Sequence, residues 1–105
     1  MATKNPVVLS QFRAALNALY GDRLARVVLY GSRARGDAED DSDYDVAIFL
    51  RSLPNRWAEL DRLADLRIRF LDETGAFFDA RPYSVMAYRE RSPLMHEIRR
   101  EGIDL

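Results

Sequence analysis

The chain has 105 residues, of which 48% are hydrophobic and 31% are charged, a composition typical of one globular domain that folds without disulfides or structural metals. It contains no cysteine, which excludes a disulfide scaffold, a thiolate zinc site, an iron–sulfur centre and a cysteine nucleophile. The net charge of −1 gives no support for nucleic-acid or membrane binding. Apolar runs such as Val46–Leu50 are far shorter than the ~20 residues that span a bilayer, and residues 1–6 lack the apolar core of a signal peptide. We therefore expect a single cytoplasmic domain over residues 1–105.

The first half of the chain predicts a helix followed by two strands. The helical spacing of Leu9, Phe12, Leu16 and Leu19 predicts an amphipathic helix over residues 6–20. The apolar run at residues 26–30 predicts a buried strand that ends at Gly31. Residues 32–42 are rich in Gly, Ser, Arg and Asp and predict a loop that can include one helical turn. A second strand is predicted over residues 44–50.

The second half predicts a helix, a strand and a last helix. Pro54 and Asn55 open the first of these helices and Gly75 ends it. Residues 76–85 predict a third strand, in which Pro82 is tolerable only near an edge or an end. Ser92-Pro93 predicts a cap followed by proline at the first helical position, and Gly102 closes that helix. This order favours an α/β or α+β domain in which helices cover a short sheet. One face of the long helix comprises Trp57, Leu60, Leu63, Ala64, Phe70 and Leu71, and Trp57 and Phe70 lie at core spacing and are expected to pack.

A glycine and a serine directly follow the first predicted strand. Gly31 has no Cβ, so backbone N–H groups there can approach an anion closely, and Ser32 adds a hydroxyl donor. Arg33 and Arg35 add positive charge beside them. These four residues are candidates for phosphate binding. The alternative is a polar turn with a solvated charge cluster.

Two aspartates lie two residues apart where the second predicted strand begins. Asp43 and Asp45 would face the same side of a strand, about 7 Å apart at Cα, so their carboxylates can converge on one or two hard divalent cations. The two charges repel each other unless a positive charge lies between them, which favours a Mg²⁺ site. The alternative is a solvated acidic strand start that keeps the edge soluble.

Together these residues form the pattern Gly-Ser, ten residues, Asp-x-Asp, placed on strand, loop and strand. This pattern resembles the signature of the DNA polymerase β-like nucleotidyltransferase superfamily. The fuller segments Gly-Ser-Arg-Ala-Arg-Gly at 31–36 and Ser-Asp-Tyr-Asp at 42–45 resemble its minimal nucleotidyltransferase branch. The motif covers about fifteen residues, and the order of predicted elements agrees with the family core over nearly the whole chain.

The resemblance implies a short mixed sheet with helices on one side. It also implies that Gly31 and Ser32 hold the triphosphate of ATP and that Asp43 and Asp45 bind Mg²⁺, as two ions. Under the same resemblance the two neighbouring arginines help to neutralise phosphate, or else lie on the surface.

In the resembled family a third carboxylate on a later strand completes the metal site and helps to deprotonate the acceptor hydroxyl. Asp79 is the only acid within the third apolar run, so we assign this role to it. The alternative for Asp79 is an edge-strand charge paired with Arg81. His96 is the only histidine, and we expect it on a helix surface rather than on a metal.

The resemblance further implies an antitoxin that transfers AMP from ATP to a tyrosine of an RNase toxin with HEPN (higher-eukaryote/prokaryote nucleotide-binding) character. A chain of this length leaves no room for a large substrate-recognition domain, so we expect the acceptor site to involve that partner protein. The alternative is a module that keeps the fold and neutralises its partner by binding alone. Transfer to a small hydroxylated molecule is disfavoured because no second domain is present to hold it.

Overall fold

The computed structural model describes residues 6–39 and 42–105. Within these residues, helices and strands alternate as the sequence predicts, with a one-turn helix between the first two strands. Short 3₁₀ turns follow the first helix and the third strand, at Gly21–Arg23 and Val85–Arg89. The main elements are α1 (Pro6–Tyr20), β1 (Leu24–Tyr30), α2 (Ser32–Arg35), β2 (Tyr44–Leu50), α3 (Arg56–Thr74), β3 (Phe78–Ser84), α4 (Pro93–Glu101) and β4 (Ile103–Asp104).

The four strands form one mixed sheet in the order β3-β2-β1-β4. Strand β1 runs antiparallel to both β2 and β4, whereas β2 and β3 are parallel. The predicted fold class is therefore confirmed. Pro82 lies in β3, which is an edge strand, as its missing N–H requires.

Helices cover both faces of the sheet. Helices α1 and α3 pack on one face, where Phe12 and Phe70 meet Phe78. Helix α4 packs on the opposite face through Met95 and Ile98. The implied arrangement with helices on one side only is therefore wrong. Because β1 and β2 are covered on both faces, their sequences are nearly continuous apolar runs rather than alternating ones.

The predicted helix ends are confirmed by their caps. The Asn55 side chain accepts a hydrogen bond from the Ala58 N–H at the start of α3, and the left-handed Gly75 ends that helix. The Ser92 hydroxyl accepts from the Met95 N–H at the start of α4, with proline at the first helical position. None of the helices in the described residues is both long and apolar enough to cross a membrane.

Two strand boundaries and one strand differ from the sequence predictions. Strand β1 begins at Leu24, two residues early, because Leu24 pairs with Leu50 across an irregularity in the register. Strand β3 is shorter than predicted and begins at Phe78. Strand β4 was not predicted, because two residues are too few to show a strand period. It pairs with the middle of β1.

The prediction that Trp57 packs in the core is wrong, since its side chain is 78% exposed. The buried position in the first turns of α3 belongs instead to Glu59, whose carboxylate lies 2.8 Å from Arg23 and 3.4 Å from Arg62. Helix α3 therefore has a buried apolar side, which includes Leu63 and Phe70 and faces the sheet, and an exposed apolar side, which includes Trp57 and Ile68. Phe70 is buried as predicted. His96 is exposed on α4, also as predicted.

Candidate active site

Gly31 joins β1 to α2 in a conformation that requires glycine. Its φ of 75° and ψ of −156° lie in a region that residues with a Cβ rarely adopt. A Cβ at this position would lie 2.5 Å from Oδ2 of Asp45. The Gly-Ser turn and the second aspartate of the Asp-x-Asp pair are therefore in direct contact.

The segment after Gly31 forms a single helical turn. The N–H groups of Ala34 and Arg35 both donate to the Gly31 carbonyl, at 3.1 and 3.0 Å. Gly36 ends the turn in the left-handed conformation and donates to the Ser32 carbonyl. This turn places the half-buried Ser32 beside the end of β1.

The sheet register brings two of the three predicted carboxylates, those of Asp45 and Asp79, to one row of the sheet. Asp45 pairs across to Tyr30 on β1 and to Asp79 on β3. Side chains in one row of a sheet share a face, so the two carboxylates are neighbours on the face that α4 covers. Asp43 lies two residues before Asp45, just outside β2, and is exposed. Asp43 and Asp79 both line an open cavity of about 440 Å³ at the edge of the sheet.

This row of residues carries an excess of negative charge. Burial raises the pKa of Asp45 above its ordinary value, and the nearby carboxylates of Asp79 and Asp43 raise it further. The Arg81 guanidinium acts in the opposite direction. Burial also raises the pKa of the Tyr30 phenol. A cation bound among these carboxylates would relieve their mutual repulsion.

Asp79 is paired with Arg81, as the alternative interpretation of Asp79 as an edge-strand charge predicts. The Arg81 Nε lies 3.2 Å from Asp79 Oδ1 and Nη2 lies 3.4 Å from Oδ2. Within residues 6–39 and 42–105, no three acidic or histidine side chains stand close enough together to hold a metal ion. The donor set is nevertheless all carboxylate oxygen, the ligand type that Mg²⁺ prefers. The donor type of Asp45 and Asp79, which share one row of the sheet, thus fits Mg²⁺, and Asp79 would have to give up its pairing with Arg81 to bind the ion.

Arg33 has a contact that the sequence did not predict. Its side chain is buried, with Nε and Nη2 donating to the Ser42 carbonyl at 3.2 and 2.8 Å. The guanidinium also lies 4.3 Å from the centre of the Tyr44 ring. Arg33 therefore holds the start of β2, and with it the Asp-x-Asp segment, against α2. No sequence pattern indicated this contact, because a backbone carbonyl nine residues away has no side-chain signature.

Arg35 is the last residue of α2, and its exposed side chain reaches toward α4. It forms ion pairs with Asp37 at 3.3 Å and with Glu97 and Glu101 at 3.6 Å. The pairs with α4 link the one-turn helix to the helix that covers the same face of the sheet as the carboxylates. Its predicted role in phosphate binding stays a prediction.

The sequence matches the family model described as nucleotidyltransferase domain over residues 9–95. The chain belongs to this nucleotidyltransferase domain family. The matched range contains every predicted site residue, namely Gly31, Ser32, Arg33, Arg35, Asp43, Asp45 and Asp79.

Two relatives from Methanocaldococcus jannaschii carry the name "Putative protein adenylyltransferase", MJ0141 and MJ1305. The first is 38% identical over 47 residues, which is 45% of this chain and 48% of the relative. The second is 34% identical over 71 residues, which is 65% of this chain and 47% of the relative. The chain thus spans about half the length of the curated relatives it matches.

A chain in the crystal structure of a mutant MntA–HpeT toxin–antitoxin complex has the same fold, with a TM-score of 0.61. The likeness covers 90% of this chain and 69% of that chain, at 15% sequence identity. At this identity the comparison confirms the fold of the nucleotidyltransferase domain.

Proposed function

We propose that this nucleotidyltransferase domain is a Mg²⁺-dependent adenylyltransferase and an antitoxin. It transfers AMP from ATP to a tyrosine hydroxyl of a HEPN-type RNase toxin. The observation that carries the proposal is that Asp45 lies against Gly31 on one side and in register with Asp79 on the other. A phosphate-binding turn and two carboxylates within one row of a sheet are the components of a phosphoryl-transfer site.

In this proposal Asp43, Asp45 and Asp79 hold Mg²⁺, and Gly31 and Ser32 hold the triphosphate of ATP. Bound Mg²⁺ supplies positive charge that offsets the negative charge of the triphosphate and of the departing pyrophosphate. The glycine allows the triphosphate to approach the backbone, because no Cβ occupies the space beside Asp45. Arg33 acts by holding Ser42 and Tyr44 in place, which fixes the position of the aspartate pair.

The remaining steps are proton transfer and displacement. The acceptor oxygen forms a bond to the α-phosphorus of ATP, the bond between the α-phosphorus and the bridging oxygen breaks, and pyrophosphate leaves. The hydroxyl proton passes to the carboxylate of Asp79, which lines the same cavity as Asp43. Most of the rate enhancement then comes from positioning and from charge neutralisation.

The comparisons support this proposal at a coarser level. Two relatives carry a name that includes protein adenylyltransferase, and the neighbour with the same fold belongs to a toxin–antitoxin complex. A protein acceptor and a toxin partner for this chain are our extension of those names.

One observation favours a second candidate function, neutralisation of the partner by binding alone. Asp79 is paired with Arg81, so its carboxylate is engaged in the structure. If that pair persisted in the presence of Mg²⁺ and ATP, the site would lack its third carboxylate, and the chain would be a binding module.

One experiment separates the two functions. The purified chain and its HEPN-type partner are incubated with Mg²⁺ and ATP labelled in the α-phosphate. Label on a tyrosine of the partner, located by mass spectrometry and absent when EDTA is added, supports the adenylyltransferase. A tight complex that inhibits the RNase and carries no label supports the binding module and contradicts the proposed activity.

A further inference from the structure

Helix α3 carries an apolar side that stays exposed to solvent. We define this exposed stripe as Trp57, Ala64, Ile68 and Leu71, whose spacing places them along one side of the helix. Trp57, Ile68 and Leu71 are 78%, 59% and 41% exposed. An apolar stripe that includes an exposed tryptophan is typical of a surface that contacts another protein.

A groove of about 260 Å³ runs along the C-terminal part of the exposed stripe, from Ala64 to Leu71, and Trp57 lies on the stripe beyond it. The groove is lined by Ala64, Arg67, Ile68, Leu71 and Phe77. Arg67 and Phe77 also line the cavity that contains Asp43 and Asp79. The apolar groove and the candidate active site therefore share a wall, and a molecule seated in the groove lies next to the carboxylates.

The cavity next to the groove has basic residues in its lining, and one of them, Arg67, also lines the groove. Arg56, Arg67 and Arg81 all line the cavity. Arg56 and Arg67 each donate one hydrogen bond to a backbone carbonyl of β3, which also covers the outer edge of that strand. A guanidinium has five N–H donors, so both arginines can still bind an acidic group. Because the strand edge is covered, a partner would lie on the helix side rather than add a strand to the sheet.

We infer that the exposed stripe and its groove dock the protein that accepts AMP. The acceptor seats an apolar side chain in the groove, pairs an acidic group with Arg67 or Arg56, and so brings its hydroxyl to Asp79. This inference rests on the proposed function, because it assigns the acceptor of that reaction. A second copy of this chain on the stripe would cover the wall shared with the cavity and block the acceptor.

Trp57 is the only tryptophan of the chain, so its fluorescence reports on this surface directly. A HEPN-type partner free of tryptophan, by substitution where necessary, is titrated into the full chain. We expect the emission of Trp57 to shift to shorter wavelength and its quenching by acrylamide to fall, because the partner excludes water from the indole. Emission and quenching of the chain alone should not change with its concentration.

The Ile68→Asp variant tests the stripe in the transfer reaction. A charge in the groove should raise the KM for the partner at least tenfold, with the affinity for Mg²⁺-ATP unchanged. Met86→Asp is the matched control, because Met86 is 76% exposed and lies just beyond the far end of β3 from Asp79. This control should keep the KM of the unmodified chain.

The outcomes distinguish the docking surface from the proposed activity. Burial of Trp57 by the partner and loss of binding in Ile68→Asp, with no label transferred by any variant, would support the docking surface and contradict the adenylyltransferase. Transfer by Ile68→Asp with an unchanged KM would support the adenylyltransferase and overturn the docking surface. The docking surface is also overturned if the partner does not bind, if it leaves Trp57 as quenchable as before, or if the chain alone buries Trp57 by self-association.

Discussion

The backbone of Gly31 lies directly against the carboxylate of Asp45, two residues that are fourteen positions apart in the sequence. The contact arises because Gly31 follows the last residue of β1, and that residue, Tyr30, pairs with Asp45 on β2. A turn suited to phosphate and a carboxylate suited to a cation are thereby placed in contact by one antiparallel pairing.

Gly31→Ala should impair both folding and transfer. Its Cβ would lie 2.5 Å from Asp45 Oδ2, at a φ of +75° that alanine rarely adopts, so we expect a loss of about 1–3 kcal/mol in the free energy of unfolding. The AMP-transfer rate should fall at least tenfold because the Asp45 carboxylate must move. Gly36→Ala is the control, since Gly36 also has a positive φ but nothing lies within 4 Å of its Cβ. Equal loss of transfer in the two folded variants would contradict the role of the contact.

Asp43→Asn should abolish AMP transfer without unfolding the domain. Asp43 is exposed and lies outside β2, so its carboxylate contributes little to packing, whereas the proposed cation needs its charge. Thermal unfolding and the transfer assay are measured on the same sample. Asp37→Asn, which alters another exposed acid of the same run, should keep most of the activity. Near-normal transfer by a folded Asp43→Asn variant would show that this carboxylate binds no essential metal.

Asp45→Asn should stabilise the protein when divalent metal is removed. Burial and the carboxylates of Asp79 and Asp43 raise the pKa of Asp45, so its charge opposes folding at neutral pH. Removing that charge should raise the free energy of unfolding by about 0.5–1 kcal/mol, a modest value because solvent screens this half-buried group.

The same variant has a defined pH dependence. A folded-state pKa above the unfolded one means that wild-type Asp45 takes up its proton more readily in the folded state as the pH falls. The stability difference from Asp45→Asn is therefore present at pH ~7, shrinks as the pH falls toward the unfolded-state pKa of about 3.9, and vanishes about one unit below it, where Asp45 is neutral in both states. Thermal unfolding across this range in EDTA measures it. A difference that grows on acidification would contradict the sign of the shift, and Asp65→Asn on the exposed side of α3 serves as the control.

Arg33→Lys distinguishes a residue that anchors β2 from one that binds phosphate. Lysine keeps the charge but loses the paired donors that reach the Ser42 carbonyl and the flat group that stacks on Tyr44. We expect a stability loss of about 1–2 kcal/mol and a weaker affinity for Mg²⁺ in the absence of ATP. A contribution to phosphate binding alone would leave both quantities unchanged and raise only the KM for ATP.

Glu59→Gln should destabilise the fold without affecting the site. The Glu59 side chain is 5% exposed, and its carboxylate is bonded to Arg23 at 2.8 Å. Loss of its charge leaves Arg23 with a weaker partner, so we expect about 2 kcal/mol of destabilisation, measured by urea unfolding. Glu73→Gln, at an exposed position of the same helix, should change stability by less than about 0.5 kcal/mol. A fall in the transfer rate of folded Glu59→Gln would show that this ion pair also supports the site.

The sequence alone determined the elements that depend on neighbouring residues. Helix α1, strand β2 and the capped ends of α3 and α4 follow from apolar spacing and from capping residues such as Asn55 and Ser92, which act within a few positions. The Gly-Ser and Asp-x-Asp pattern is equally visible in the sequence, because it consists of residue types at a fixed spacing, and the roles of these residues stay a prediction.

Only the tertiary structure decided which residues meet across the chain. The parallel pairing of β2 with β3 aligns Asp45 with Asp79, and packing between distant segments buries Glu59 while it exposes Trp57. Apolar periodicity shows which residues share one side of a helix, but it does not show whether that side faces the core or the solvent. The periodicity of α3 therefore predicts a buried Trp57, whereas the folded chain exposes it. The hydrogen bond from Arg33 to the Ser42 carbonyl also depends on tertiary structure. Every residue has a backbone carbonyl, so the way in which the loop folds back decides which one Arg33 meets.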